Sequence, residues 1–184
     1  MIDDSLKRSV IQHTCVISLL KEAVMAEYGV HISESDILRT EHGKPFFSPE
    51  TCIHFSLSHC SGLAVCLLSD KPCGADAEPV RDYRERVAAR ICSHNEMLLI
   101  TAAEGDKRDR LFTSLWTLKE AYAKADGRGI SVMSRAEFSF DNGDISSSAP
   151  YSFKQFFLPE GGYIISVCLS PDSGEIDNLT LKML

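Results

Sequence analysis

The sequence predicts an α+β protein. Three observations carry that expectation: helical spacing of apolar residues over 6–28 and 108–125, strand-like alternation or short apolar runs between and after them, and an order in which each half of the chain runs helix first, then strands.

Residues 6–28 place Leu6, Val10, Ile11, Ile17, Leu20 and Val24 near helical spacing, and Gly29 follows as a stop. Residues 37–40 read as a short strand, and Glu41-His-Gly-Lys-Pro as a loop, since Gly43 and Pro45 flank Lys44. Residues 53–58 alternate like a half-buried strand, and 63–68 form a continuous apolar strand. Residues 73–78 follow a Lys-Pro turn and read as a strand by context. Helices are expected over 83–91, 94–103 and 108–125, with Gly127 and Gly129 ending the last. Strands are expected over 136–140, 151–158, 163–169 and 179–183, joined by an Asp-Asn-Gly turn, a loop at 146–150 and a Gly-Gly turn.

The chain has 184 residues, enough for one domain or two small subdomains sharing a core. Its longest apolar runs are too short to span a bilayer, and no basic segment precedes an apolar one at the start. The net charge is −7, which argues against a nonspecific nucleic-acid binder. An acidic chain that handles an anionic substrate must use a few placed cations or a metal ion. Seven cysteines, an odd number without CxxC spacing, point to reduced thiols and a cytoplasmic location.

Three constellations stand out. In Gly74-Ala-Asp-Ala-Glu, Asp76 and Glu78 at i and i+2 of a strand aim two carboxylates at one side, a placement that suits a hard divalent cation. The same spacing also fits an exposed strand face. In Trp116-Thr-Leu-Lys-Glu-Ala-Tyr-Ala-Lys, a helix aligns Trp116, Glu120 and Lys124 in one stripe, with Lys119 beside it. A surface Glu–Lys pair above a packed Trp explains that stripe equally well. A third carboxylate beside Asp76 and Glu78 would complete a Mg²⁺ site able to hold a diphosphate. The third constellation joins Gly43-Lys-Pro with Phe55-Ser-Leu-Ser-His-Cys-Ser-Gly, where Ser58 and His59 are candidate phosphate donors. A Ser58–His59 nucleophile is disfavoured, because neighbours in a strand point apart. The charges of 81–90 read as a solvated helix face, and His13, His31, His42 and His94 as surface or partly packed residues.

Taken in order, Gly-Lys-Pro, Phe-x-x-Ser-His, Gly-x-Asp-x-Glu and Trp-x-x-Lys-Glu-x-x-x-Lys form a series that resembles the Sfp-type 4′-phosphopantetheinyl transferase family. The resemblance covers about residues 7–169 and is strongest over 43–124. It implies two similar αβ subdomains with pseudo-two-fold symmetry, 1–80 and 81–184, forming one compact unit with coenzyme A in the cleft between them. The implied reaction moves the 4′-phosphopantetheine arm of coenzyme A to a serine hydroxyl of an apo carrier protein, releasing adenosine 3′,5′-bisphosphate. The carrier would be of fatty-acid, polyketide or nonribosomal-peptide type, and the enzyme a monomer. By the motif match, Asp76, Glu78 and Glu120 would ligate Mg²⁺, with Mn²⁺ as a substitute. Lys119 and Lys124 would meet the pyrophosphate, Ser58 and His59 the 3′-phosphate, and Lys44 the adenine end. Arg8 and Ser9 resemble a pair that also contacts that phosphate. Glu120 is the first candidate base for the incoming serine and Glu96 the second, while Lys124 acts as an electrostatic clamp.

The chain departs from the family pattern where it begins, after the usual N-terminal strand and basic residues. It also carries Ser56 and Cys60 where Asn and Ser are common, and alanines beside the Asp and Glu. The first departure motivates an alternative: a weakened relative that binds coenzyme A or a carrier without turnover. A Mg²⁺-dependent phosphohydrolase is a third reading, opposed by the lack of a histidine-rich di-metal pattern.

Overall fold

The computed structural model describes residues 4–171 and 176–182; the side chains of 4–11 and of 177 lie outside that description, and with them the expectation placed on Arg8 and Ser9. Helix α1 (Asp4–Tyr28) comes first. Short strands β1 (Leu38–Arg39) and β2 (Pro45–Phe46) pair across the Gly43 turn. Then come β3 (His54–Cys60), β4 (Leu63–Ser69) and β5 (Cys73–Pro79). Helices α2 (Glu85–Ile91), α3 (His94–Ala102) and α4 (Gly105–Asp126) follow. After a 3-10 segment at Gly129–Arg135, the chain forms β6 (Phe138–Asp141), β7 (Asp144–Ser147), β8 (Ser152–Leu158) and β9 (Tyr163–Leu169).

The architecture is α+β, with antiparallel pairings throughout. Strands β3 and β4 form a hairpin, and β5, β9 and β8 form a three-stranded sheet in that order. Strand β5 therefore hydrogen-bonds to β9, far along the sequence. Leu20 and Val24 of α1 pack on Phe47, Ile53 and Phe55. The larger core lies around α4, where Leu115, Leu118 and Ala121 are fully buried with Ile100, Val132 and Phe138. Helix α4 ends because Gly127 adopts φ 87° and donates its N–H to the Ala123 carbonyl.

Two expected elements need correction. Residues 146–150 are not wholly a loop: Ser146 and Ser147 belong to β7, which pairs with β6 across a tight Asn142–Gly143 turn with both φ positive. The strand expected at 179–183 is not formed over 179–182; a 3-10 turn at Ile176–Asn178 precedes irregular chain. All seven cysteines are free, and burial pushes the Cys66 and Cys73 thiols up to about 12. No described helix is long and apolar enough to cross a membrane.

Candidate active site

The site lies where α4 crosses β5 beside the edge of β3. Gly74 permits that crossing. A Cβ built on it would stand 1.9 Å from the Ala121 carbonyl oxygen and 2.6 Å from the Ala125 nitrogen. The helix backbone thus rests directly on the strand backbone, and Asp76, two residues on, comes within reach of the helix.

Strands β3 and β5 lie side by side without a backbone ladder. Serine hydroxyls replace it. The N–H of Ala75 donates to Ser56 Oγ at 2.9 Å, and that of Ala77 to Ser58 Oγ at 3.1 Å. Ser58 Oγ in turn donates to Asp76 Oδ1 at 2.9 Å. Ser58 is buried and committed at both its hydrogen and its oxygen. This corrects its reading as a free phosphate donor. Its neighbour His59 points to the other side of β3 and is exposed.

Lys124 reaches back from α4 into the same seam. Its Nζ donates to Asp76 Oδ1 at 2.8 Å, to the Ala75 carbonyl at 2.9 Å and to the Leu57 carbonyl at 3.4 Å. Asp76 Oδ2 is buried and has no hydrogen-bond partner. Glu120, one turn before Lys124, is half-buried. Burial is the main cause that raises its carboxyl above the ordinary range; the charge of Asp76 adds to it, Lys124 opposes it, and Glu78 contributes less. Glu78 is raised for the same reasons, burial first, with Arg81 opposing and Asp76 adding. The carboxylates of Asp76, Glu78 and Glu120 therefore share one field, as a stripe facing β5 requires.

The donor set fits a hard divalent cation by its chemistry, and the orphaned Asp76 Oδ2 is an oxygen in want of one. Among the described residues, however, no group of three His, Cys, Asp or Glu side chains stands ready to hold a metal. Cations of the chain occupy the carboxylates instead: Lys124 on Asp76, and the Arg81 guanidinium on Glu78.

A cleft opens beside this cluster. It is lined by His42, Gly43 and Lys44 of the β1–β2 turn, Phe55 to Leu57 of β3, and Glu120, Lys124, Gly127 and Ile130. Lys44 is largely withdrawn from water, which holds its ammonium below the usual lysine value, and its Nζ donates to the carbonyls of Cys73 and Ala125. The cleft thus carries two lysines and one glutamate among apolar and glycine surfaces.

Of the expected site residues, Lys44, Glu120 and Lys124 line the cleft; Asp76, Glu78, Ser58 and His59 do not, and Lys119 and Glu96 lie elsewhere altogether. Lys119 and Glu96 are both fully buried and pair with each other at 2.9 Å on the far side of α4. Lys119 Nζ also donates to the Ala136 carbonyl at 2.7 Å. Glu96 accepts from the N–H of Ser93 and, at 2.8 Å, from that of Phe138. This corrects both assignments. One residue along a helix turns the side chain by about 100°, so Lys119 cannot share the direction of Glu120. Glu96 is consumed in capping α3 and fastening β6.

Arg81 and His42, read from the sequence as surface charges, border the site: Arg81 pairs with Glu78 and His42 lines the cleft. Arg81 lies before α2, not on it, so its charge is not part of a solvated helix face. Its position three residues after Glu78 was the available signal. His42 directly precedes the Gly-Lys-Pro turn.

Residues 72–168 match the family model of the 4′-phosphopantetheinyl transferase superfamily. The chain is 32% identical over 120 residues to 4′-phosphopantetheinyl transferase gsp of Aneurinibacillus migulanus, a match covering 62% of this chain and 50% of that protein. It is 27% identical over 164 residues to 4′-phosphopantetheinyl transferase Sfp of Bacillus subtilis (strain 168), covering 85% of this chain and 73% of that protein. Among solved structures, a holo-(acyl-carrier-protein) synthase from Bacillus anthracis str. Ames in complex with CoA (3′,5′-ADP) aligns with a TM-score of 0.46 and 19% identity, over 53% of this chain and 93% of that one.

Proposed function

This chain belongs to the 4′-phosphopantetheinyl transferase superfamily, and from that premise we propose that it transfers the 4′-phosphopantetheine arm of coenzyme A to a serine of an apo carrier protein, with Mg²⁺, leaving adenosine 3′,5′-bisphosphate. The observation that carries the reading is the Lys124–Asp76 ion pair beside a cleft lined by Lys44, Glu120 and Lys124.

In this reading coenzyme A enters the cleft between two αβ halves divided near residue 80. Lys44 and Lys124 neutralise its phosphates, and His59 lies along the same strand for the terminal phosphate. Asp76, Glu78 and Glu120 hold the ion, which when bound supplies positive charge to the diphosphate. Glu120 Oε accepts the serine proton; its burial keeps that carboxyl more basic than a surface one. Lys124, whose Nζ reaches the same seam, favours the charge that builds on the leaving bisphosphate. Lys119 and Glu96 touch neither substrate and keep α4 in place. Carriers of fatty-acid, polyketide and nonribosomal-peptide type all fit this chemistry, and a monomer suffices for it.

A second reading, binding without turnover, draws on the two chain cations that occupy Asp76 and Glu78. One experiment separates the two. Incubate the protein with coenzyme A, Mg²⁺ and an apo carrier, then take the intact mass of the carrier. Gain of one phosphopantetheine supports transfer. Binding of coenzyme A without mass gain supports the second reading, and free pantetheine phosphate would indicate hydrolysis.

A further inference from the structure

We infer that Thr117, Ser166 and Gln155 are positioning residues that fix the height and rotation of α4 over the sheet, and thereby hold Glu120 and Lys124 against Asp76. The inference rests on the functional reading above for its catalytic consequence.

The three side chains form a buried polar knot under α4, away from the cleft. Thr117 and Ser166 are both fully buried, and their hydroxyl oxygens lie 2.6 Å apart. Gln155 Nε2 lies 2.8 Å from Ser166 Oγ, 3.3 Å from Thr117 Oγ1 and 3.0 Å from the Ser114 carbonyl. Thr117 Oγ1 lies 3.1 Å from the same Ser114 carbonyl. The protons can be assigned without conflict. Thr117 donates to Ser114, Ser166 donates to Thr117, and the two amide protons of Gln155 go to its two shorter contacts, Ser166 Oγ and the Ser114 carbonyl. An apolar core would bury this space more simply, since each hydroxyl left unpaired there would be destabilising. A fully satisfied knot fixes one geometry where apolar packing tolerates sliding.

Its place ties it to the site. Ser166 stands directly opposite Asp76 in the β5–β9 register, and Gln155 directly opposite Ser166 in the β9–β8 register. Asp76, Ser166 and Gln155 therefore form one cross-strand row on one face of the sheet. On the helix, Thr117 precedes Glu120 by three residues and Lys124 by seven, which puts all three on the side that meets the sheet. The backbone contact at Gly74 with Ala121 and Ala125 fixes the helix towards its C-terminal end. The knot fixes it one turn before Glu120. Two anchors on either side of Glu120 define both how the helix lies and how it is rotated.

The test uses variants that remove hydroxyls while keeping shape. Thr117→Val is expected to lower kcat about tenfold or more with KM for coenzyme A within about twofold, and Thr117→Ser to restore kcat. Ser166→Ala should act in the same direction if Thr117→Val does not fold. A control, Ile100→Val in the core on α3, should lower the melting temperature without lowering kcat. A second readout needs no turnover. The stability coupling between Lys124→Met and Asp76→Asn, measured by a double-mutant cycle, should fall by about half or more in the Thr117→Val background. An unchanged coupling overturns the inference, as does an active wild type whose Thr117→Val and Ser166→Ala variants keep wild-type kcat. A wild type that transfers nothing while the coupling still falls overturns the functional reading and leaves the positioning role supported.

Discussion

The ammonium of Lys124 lies 2.8 Å from Oδ1 of Asp76 and, with Ser58, takes up that oxygen while Oδ2 is left buried and unpartnered. That one side chain fastens α4 to both β5 and β3.

Loss of Lys124 should therefore show in stability as well as activity. Lys124→Met leaves the Asp76 charge buried with a hydroxyl as its one side-chain partner. Breaking one side of such a pair costs on the order of 3 kcal/mol. Urea unfolding should place Lys124→Met well below wild type, and Lys124→Met with Asp76→Asn above the single variant.

Lys119 gives the opposite pattern from a ligand contact. With both partners fully buried, Lys119→Met should destabilise by about 3–5 kcal/mol. Adding Glu96→Gln should return part of that loss. Thermal melts of the two variants check this; a Lys119→Met protein with wild-type stability and a raised KM for coenzyme A would put Lys119 back in the cleft.

Gly74→Ala forces a methyl group into the Ala121 carbonyl of α4. Backbone has to move, at a cost of at least about 1–3 kcal/mol. The variant should melt lower and lose transfer together, because Glu120 and Lys124 ride on the displaced helix. Circular dichroism melts with a transfer assay on the same sample test the link.

The carboxyls of Glu78 and Glu120 set a pH dependence. Burial raises both above their ordinary value of 4.5, so the folded state holds these protons more tightly than the unfolded chain. Their favourable contribution is complete below that ordinary value and is lost as pH rises through the raised values. In the absence of ligand, Glu120→Gln should gain melting temperature relative to wild type at about pH 7.5 and gain little at about pH 4.5. Equal differences at both values would remove Glu120 from the shared field.

Much of this was legible in the sequence because local rules wrote it. The spacing of Leu20 and Val24 marked α1, Gly127 marked the end of α4, and context after the Lys-Pro turn marked the strand on which Asp76 and Glu78 fall at i and i+2. The errors fall where direction or tertiary partners decide. Adjacency in sequence grouped Lys119 with Glu120, yet the helical turn sends one into the core and the other to the cleft. Ser58 looked like a donor to a ligand until β5 lay beside it and engaged both its proton and its lone pairs. Ser146 and Ser147 lack strand propensity, and β7 forms because the Asn142–Gly143 turn brings them onto β6.

The most direct test of the central claim, that Asp76 is part of the site that moves the phosphopantetheine arm, is the intact mass of an apo carrier after incubation with coenzyme A, Mg²⁺ and either wild type or Asp76→Asn. Asn keeps the size of the side chain and an acceptor for Ser58, and removes the charge. The account predicts a carrier heavier by one phosphopantetheine with wild type and an unmodified carrier with a folded Asp76→Asn protein. A folded Asp76→Asn protein that modifies the carrier at the wild-type rate would contradict it.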